Sequence, residues 1–84
     1  MPFYVYILQS EQDGSYYMGS TQDLNARIQR HNQGRSKYTK AKRPWRLVYF
    51  EEHPDRSSAV RRENQIKRRK DKHFIESLVR TSRQ

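Results

Sequence analysis

Residues 3–21 read FYVYILQSEQDGSYYMGST, and the way this stretch divides decides the fold. Phe3, Val5 and Ile7 alternate with Tyr4, Tyr6 and Leu8, so a strand over residues 3–9 presents apolar side chains to both faces. Such a strand belongs in the middle of a sheet, covered on each side. Asp13 and Gly14 form the strongest short hairpin signal in the chain, and residues 15–19 then return antiparallel to the first strand. The hairpin brings Tyr6 and Tyr17 onto neighbouring strands.

Beyond the hairpin, Thr21 is the expected N-cap of a helix over residues 22–33. Leu24 and Ile28 lie one turn apart on its buried stripe, and Gly34 acts as its stop. Asp23, Arg27 and His31 follow one another at intervals of four, which predicts a polar row carrying a cation and an imidazole together. Residues 35–46 hold six Lys or Arg and no acid, with Tyr38 among them and Pro44 near the end, and read as a basic loop. The β-branched and aromatic content of residues 45–50 predicts a third strand, which Pro54 ends. Ser57 or Ser58 is expected to cap a second helix reaching Lys70. Asp71 is expected to cap a third that buries Phe74, Ile75, Leu78 and Val79 and loosens from Thr81 onward.

Eighty-four residues suit a single domain, residues 1–84, and a chain of this length buries only about 60 to 65 % of its unfolded surface. Few aliphatic residues and a net charge of +9 would, taken alone, place the chain near the disordered class. The six tyrosines, Trp45 and the strand and helix periods oppose that reading. Eighteen Lys and Arg against nine Asp and Glu point to a polyanionic partner, with nucleic acid first. No long apolar run or signal-peptide pattern is present, so neither a membrane span nor export is expected. The absence of cysteine removes disulfides and thiolate metal sites and suits a reducing cytoplasm.

A few residue types stand out chemically. Glu63 falls on the side of the second helix that carries Ala59, Val60 and Ile66, where an unpaired carboxylate is costly. Two partners suit it: Arg27 or a nearby lysine in an ion pair, or a divalent ion, since Mg²⁺ commonly takes one or two carboxylates with water and phosphate oxygens. Tyr6 and Tyr17 are ordinary packing residues unless nearby cations lower a phenol enough for it to act as a base. Arg27 has the planar fork suited to a phosphate, and His31 could accept or relay a proton. Arg35, Lys37, Lys40, Lys42 and Arg43 around Tyr38, together with Lys67, Arg68 and the charge run to Lys70, form patches suited to a phosphate backbone. Tyr38 is placed to stack on an unpaired base.

From Phe3 to about Lys70 the chain resembles the GIY-YIG endonuclease superfamily. Tyr4, Val5 and Tyr6 stand where the first triplet lies, and Tyr17, Met18 and Gly19 where the second lies. Arg27, ten residues after Tyr17, and Glu63, four after Ala59, match the arginine and the metal-binding glutamate of such enzymes. Within that superfamily Gly19, Ser20, Thr21, Leu24, His31, Asn32, Gly34, Trp45 and Leu47 are similar to a group of small stand-alone bacterial proteins. The resemblance implies an α+β fold, a small three-stranded antiparallel sheet flanked by helices. It also implies a divalent-metal-dependent endonuclease using Mg²⁺ or Mn²⁺ to hydrolyse DNA phosphodiester bonds, with branched or single-stranded structures as expected targets. Tyr6, Tyr17, Arg27, His31 and Glu63 are then the expected catalytic set, with Glu63 on the metal. RNA is an open alternative substrate, and a partner protein is expected to help targeting. The alternative function is a nucleic-acid-binding module of the same fold that has lost efficient catalysis. Two departures stand out: Tyr4 replaces the first glycine, and Ser20 replaces a lysine found in the DNA-repair excision nucleases.

Overall fold

The computed structural model describes residues 2–69 and 71–82. Strand β1, Phe3–Ser10, pairs antiparallel with β2, Tyr16–Thr21, on one side and with β3, Trp45–His53, on the other, giving the order β2-β1-β3. The doubly apolar strand is central, as its alternation requires. Helix α1, Leu24–Asn32, covers one face, and α2, Arg56–Arg69, with α3, Lys72–Ser82, covers the other.

The period-two alternation of β1 divides the interior into two small cores. Val5 and Ile7 pack with Ala59 and Ile66 of α2 and with Ile75 and Val79 of α3. Tyr6 and Leu8 pack with Trp45, Tyr17, Leu47 and the Leu24 and Ile28 stripe of α1. Each core is thin, so the aromatic rings supply much of the buried area.

Turn and cap chemistry differs from expectation in detail. Gly14 at φ +76° closes the hairpin, and Asp13 Oδ1 accepts from the Ser15 amide and hydroxyl. Thr21 is not a helix cap: it ends β2 opposite Tyr4, and its hydroxyl closes a turn by accepting from the Asp23 amide. Asp23 caps α1 instead, accepting from the Ala26 amide at 3.1 Å. Gly34, at φ +78°, stops that helix. The Gly34 amide donates to the His31 carbonyl and the Arg35 amide to that of Arg30, a Schellman pair.

The cap of α2 is Asp55, ahead of both serines, and Ser58 donates its amide and hydroxyl to it. A carboxylate at this place also meets the positive end of the helix dipole. Asp71 caps α3 through the His73 amide, and α3 runs to Ser82, past the expected loosening at Thr81. Lys70 lies outside the described residues. β3 extends three residues beyond the expected Phe50, with a register irregularity between Ile7 and Leu8 of β1.

Candidate active site

The hairpin register sets the first half of the site. Tyr6 lies opposite Gly19 and Leu8 opposite Tyr17, so both phenols share the face covered by α1. The Tyr6 ring crosses directly over Gly19. A methyl group added there would come within 2.7 Å of the Tyr6 hydroxyl and 3.0 Å of Cζ, so the second triplet needs its glycine for close approach and not for a turn.

Helix α1 supplies the second half. Leu24, Ile28 and His31 follow the i, i+4, i+7 stripe, which carries the imidazole inward until it is 3 % exposed. His31 is therefore a core residue on the buried stripe itself, and not in a polar row beside it as its spacing with Asp23 and Arg27 suggested. Its Nε2 lies 3.3 Å from the Tyr6 hydroxyl, its Nδ1 2.7 Å from Thr39 Oγ1, and its ring meets Tyr17 edge-on with centroids 5.0 Å apart. A neutral imidazole has one proton for two partners. With that proton on Nδ1, His31 donates to Thr39 and leaves Nε2 free to accept from Tyr6. Burial first, then Arg27 and Arg30, hold the imidazole below its ordinary value of 6.5, so it is neutral at pH 7.

Thr39 is the residue that sequence reading missed. It sits in the expected basic loop, yet it is 1 % exposed, and its carbonyl accepts from the Trp45 indole at 2.8 Å. Asn32 locks the same corner by accepting from the Trp45 amide at 2.6 Å and donating to its carbonyl at 3.1 Å. A hydroxyl in a lysine-rich loop gives no sequence sign of this role. Thr39→Val leaves the buried Nδ1 unpartnered, so the variant should lose about 1–3 kcal/mol in urea unfolding. An unchanged midpoint would show that the Thr39 bond holds nothing in place.

The protein's own cations do not lower the Tyr6 pKa below its ordinary value. Burial, reinforced by the nearby Tyr17, pushes the phenol up to about 12; Arg27 pulls it down and Glu63 pushes it further up. Tyr6 is 1 % exposed, and desolvation outweighs the arginine's field. Arg27 and Glu63, on helices covering opposite faces, both act on this one hydroxyl.

The two helices meet the same opening at the end of the β2 edge strand. A cleft of about 410 Å³ is lined by Ser20 and Thr21 of β2, Arg27 and Arg30 of α1, and Arg56 and Val60 of α2. Three guanidinium groups thus line one cleft, with the Asp23 carboxylate also in its wall; of the three, only Arg27 was marked by the sequence motif. Glu63 follows Val60 by three residues on α2, one turn along from the residue that lines this opening. Its side chain is 15 % exposed, and Oε2 accepts from the Lys67 ammonium at 2.6 Å. The partner is thus the nearby lysine and not Arg27. Val60, expected on the buried stripe, is exposed at the rim.

Among the described residues no three His, Cys, Asp or Glu gather as a metal cluster. The donor set is a single carboxylate that already attracts a cation, which fits a hard ion holding mostly water and phosphate oxygens rather than zinc. The Lys67 side chain that pairs with this carboxylate is half-exposed.

The basic residues divide. Tyr38 is 88 % exposed, and Arg35, Lys37, Lys40, Lys42 and Arg43 are exposed around the 3₁₀ turn at Lys40–Lys42, with Lys42 paired to Asp13 at 3.3 Å. Arg68 is exposed, while Lys67 is engaged with Glu63. No described helix is long and apolar enough to cross a membrane.

The hairpin thus sets Tyr6 and Tyr17 around the His31 ring on the face covered by α1, while Glu63 stands on α2, which covers the other face; the motifs that place these residues define a nuclease family. The chain belongs to it: the GIY-YIG catalytic domain matches residues 2–75. Its relatives include the UPF0213 proteins of Staphylococcus aureus strains Mu3 and N315, each 48 % identical over 65 residues, covering 76 % of this chain and 78 % of theirs. The solution NMR structure of UPF0213 protein BH0048 from Bacillus halodurans is 39 % identical. It superposes with a TM-score of 0.60 and covers 96 % of this chain and 85 % of that one.

Proposed function

We propose that this chain is a divalent-metal-dependent endonuclease hydrolysing DNA phosphodiester bonds, at branched or single-stranded structures, in the cytoplasm. The observation that carries the reading is convergence: Tyr6, Tyr17 and His31 touch or neighbour one another on one sheet face, and Arg27 and Glu63 both act on the Tyr6 hydroxyl. RNA remains an alternative polyanion, and a partner protein would supply targeting.

Arg27, with Arg30 and Arg56 beside it, grips the phosphate and stabilises the charge that grows on it. Tyr17, half-buried at the outer end of the aromatic group, orients the attacking water. As water oxygen bonds to phosphorus, its proton passes to the Tyr6 oxygen while the Tyr6 proton passes to His31 Nε2. The bond from phosphorus to the 3′ oxygen breaks, and that oxygen takes a proton from solvent, leaving 5′-phosphate and 3′-hydroxyl ends. This relay never requires a free Tyr6 phenolate, which a pKa near 12 forbids. Glu63 would hold Mg²⁺ or Mn²⁺, which when bound polarises a phosphoryl oxygen and offsets the carboxylate's upward push on Tyr6.

Nicking of labelled branched DNA in Mg²⁺ or Mn²⁺ tests the reading. Activity that survives both Glu63→Gln and Arg27→Ala removes these residues from the mechanism. The pH profile adds a second check, because the relay needs His31 neutral. Its pKa is depressed, so activity should hold steady down to pH 6.5 and fall only as pH drops through the lower folded value. Stability follows the same sign, since below 6.5 the unfolded chain binds a proton that the folded chain excludes. A profile that already falls between pH 8 and 7 would place the proton acceptor elsewhere.

A second reading has one observation in its favour: Tyr6 is closed from solvent and Glu63 is occupied by Lys67. A binding module that kept the fold and lost efficient catalysis predicts salt-sensitive DNA affinity, carried by residues 35–46 and unchanged by Glu63→Gln, with no hydrolysis of any substrate.

A further inference from the structure

On the other side of the first turn of α1 lies a larger cleft, about 690 Å³, lined by Tyr4, Leu24, Leu47 and Phe50 with Gln22, Asp23 and Asn25 at its polar edge. We infer that this cleft seats one unpaired DNA base next to the phosphate held by Arg27. The inference rests on the phosphodiester reading above and adds to it the state of the strand.

Three observations lead there. Tyr4 and Phe50 form an edge-to-face pair with centroids 6.1 Å apart and ring planes 68° apart, and Phe50 is 51 % exposed, so the face of one ring and the edge of the other form an aromatic corner open to solvent. A charged chain of this size has little reason to leave an aromatic pair uncovered. Among the described residues no cationic side chain lines the cleft, and Asp23 lies at its rim with one oxygen already engaged by the Ala26 amide. It repels phosphate and suits an uncharged ring whose amino groups seek acceptors. Finally, Gln22 and Asp23 also wall the arginine cleft, so an anion site and an aromatic site adjoin across one short segment. A polymer that alternates a phosphate with a flat heterocycle matches that sequence of surfaces. A base inside a duplex is paired and stacked and cannot enter, so the cleft selects an unpaired nucleotide. Tyr4, which replaces the glycine of the first triplet, thereby gains a role in this chain.

The test is binding by the full chain with divalent metal chelated, so that its outcome does not depend on cleavage. The probes are a single-stranded oligonucleotide carrying 2-aminopurine and a blunt duplex of the same sequence. The variant is Tyr4→Leu with Phe50→Leu, which keeps apolar bulk and removes both rings. The native chain should quench the 2-aminopurine, and the variant should lose the quench together with roughly ten-fold or more of its single-strand affinity. Duplex affinity, which reports the fold and the basic surface, should not change. Equal single-strand affinity for the two proteins, an absent quench, or an equal loss on the duplex overturns the inference. A shift from dimer to monomer in sedimentation with single-strand affinity unchanged would make the patch a self-contact instead. Failure of hydrolysis in Mg²⁺ with the quench retained would strike the nuclease reading alone.

Discussion

Glu63→Gln should stop DNA cleavage in Mg²⁺ or Mn²⁺, by roughly 10²- to 10³-fold or more, while leaving DNA affinity and the fold in place. The substitution keeps the shape and removes only the charge. Its one visible structural cost is the pair with Lys67, which lies on a half-exposed ammonium and contributes at most about 1 kcal/mol. Loss of activity therefore cannot be ascribed to unfolding. The sign of the effect is informative as well. Glu63 raises the Tyr6 pKa, so if its only influence were on the phenol, neutralising it would make proton transfer easier and cleavage faster. Slower cleavage requires that the carboxylate do something else, and holding a divalent ion is what its position allows. Arg27→Ala should cost a similar factor for a different reason, because it removes both the phosphate's nearest cation and the downward pull on Tyr6. Arg27→Lys restores a charge without the fork and should recover only part of the loss. Single-turnover nicking rates with each variant at saturating enzyme decide these points.

Gly19→Ala should be strongly damaging. The added carbon would stand 2.7 Å from the Tyr6 hydroxyl, closer than real side chains come, and 3.0 Å from Cζ, a tight contact. Relief requires Tyr6 to move, and Tyr6 is 1 % exposed with its hydroxyl 3.3 Å from His31 Nε2. Forcing the ring away should cost about 1–3 kcal/mol, with the melting temperature falling about 4–8 °C for each kcal/mol. Turnover should fall roughly 10²-fold at temperatures where the variant is still folded, because the Tyr6 to His31 contact is displaced. Thermal unfolding by circular dichroism and nicking at 20 °C separate the two losses. An alanine variant as stable and as active as the parent would mean that Tyr6 is not fixed over β2 and that its bond to His31 is incidental.

The fold was legible wherever local chemistry and period agree. The doubly apolar run at residues 3–9, the Asp13-Gly14 turn and the apolar spacing of residues 74–79 each specify an element without help from distant contacts. Caps were misplaced where two candidates compete. Thr21 and Asp23 both suit a helix start, and pairing of Thr21 with Tyr4 across the sheet settled the choice. Much of the candidate site could be read as well, since the hairpin register alone puts Tyr6 and Tyr17 on one face, and the Glu63 to Lys67 pair follows from four-residue spacing.

What escaped was every feature made by tertiary closure. His31 was read into a polar row with Arg27 beside the buried stripe, although its seven-residue interval from Leu24 places it on the stripe itself. Thr39 reaches that stripe from a loop whose composition speaks only of charge. Arg30, Arg56 and the Tyr4 to Phe50 pair become neighbours of the site only when β2 and β3 close against β1. The Tyr6 pKa lies above its ordinary value because burial, which a sequence does not display, outweighs the field of Arg27, which it does.

The central claim is that two phenols, an imidazole, a guanidinium and a carboxylate serve one metal-dependent hydrolytic site. Anomalous scattering from Mn²⁺ in crystals of the chain bound to an uncleavable DNA analogue addresses it most directly. One peak, in contact with the Glu63 carboxylate and a phosphate oxygen on the Arg27 side, with Lys67 swung off the carboxylate, is the predicted result. A bound DNA with no peak near Glu63 and Lys67 still closed on it would contradict the account.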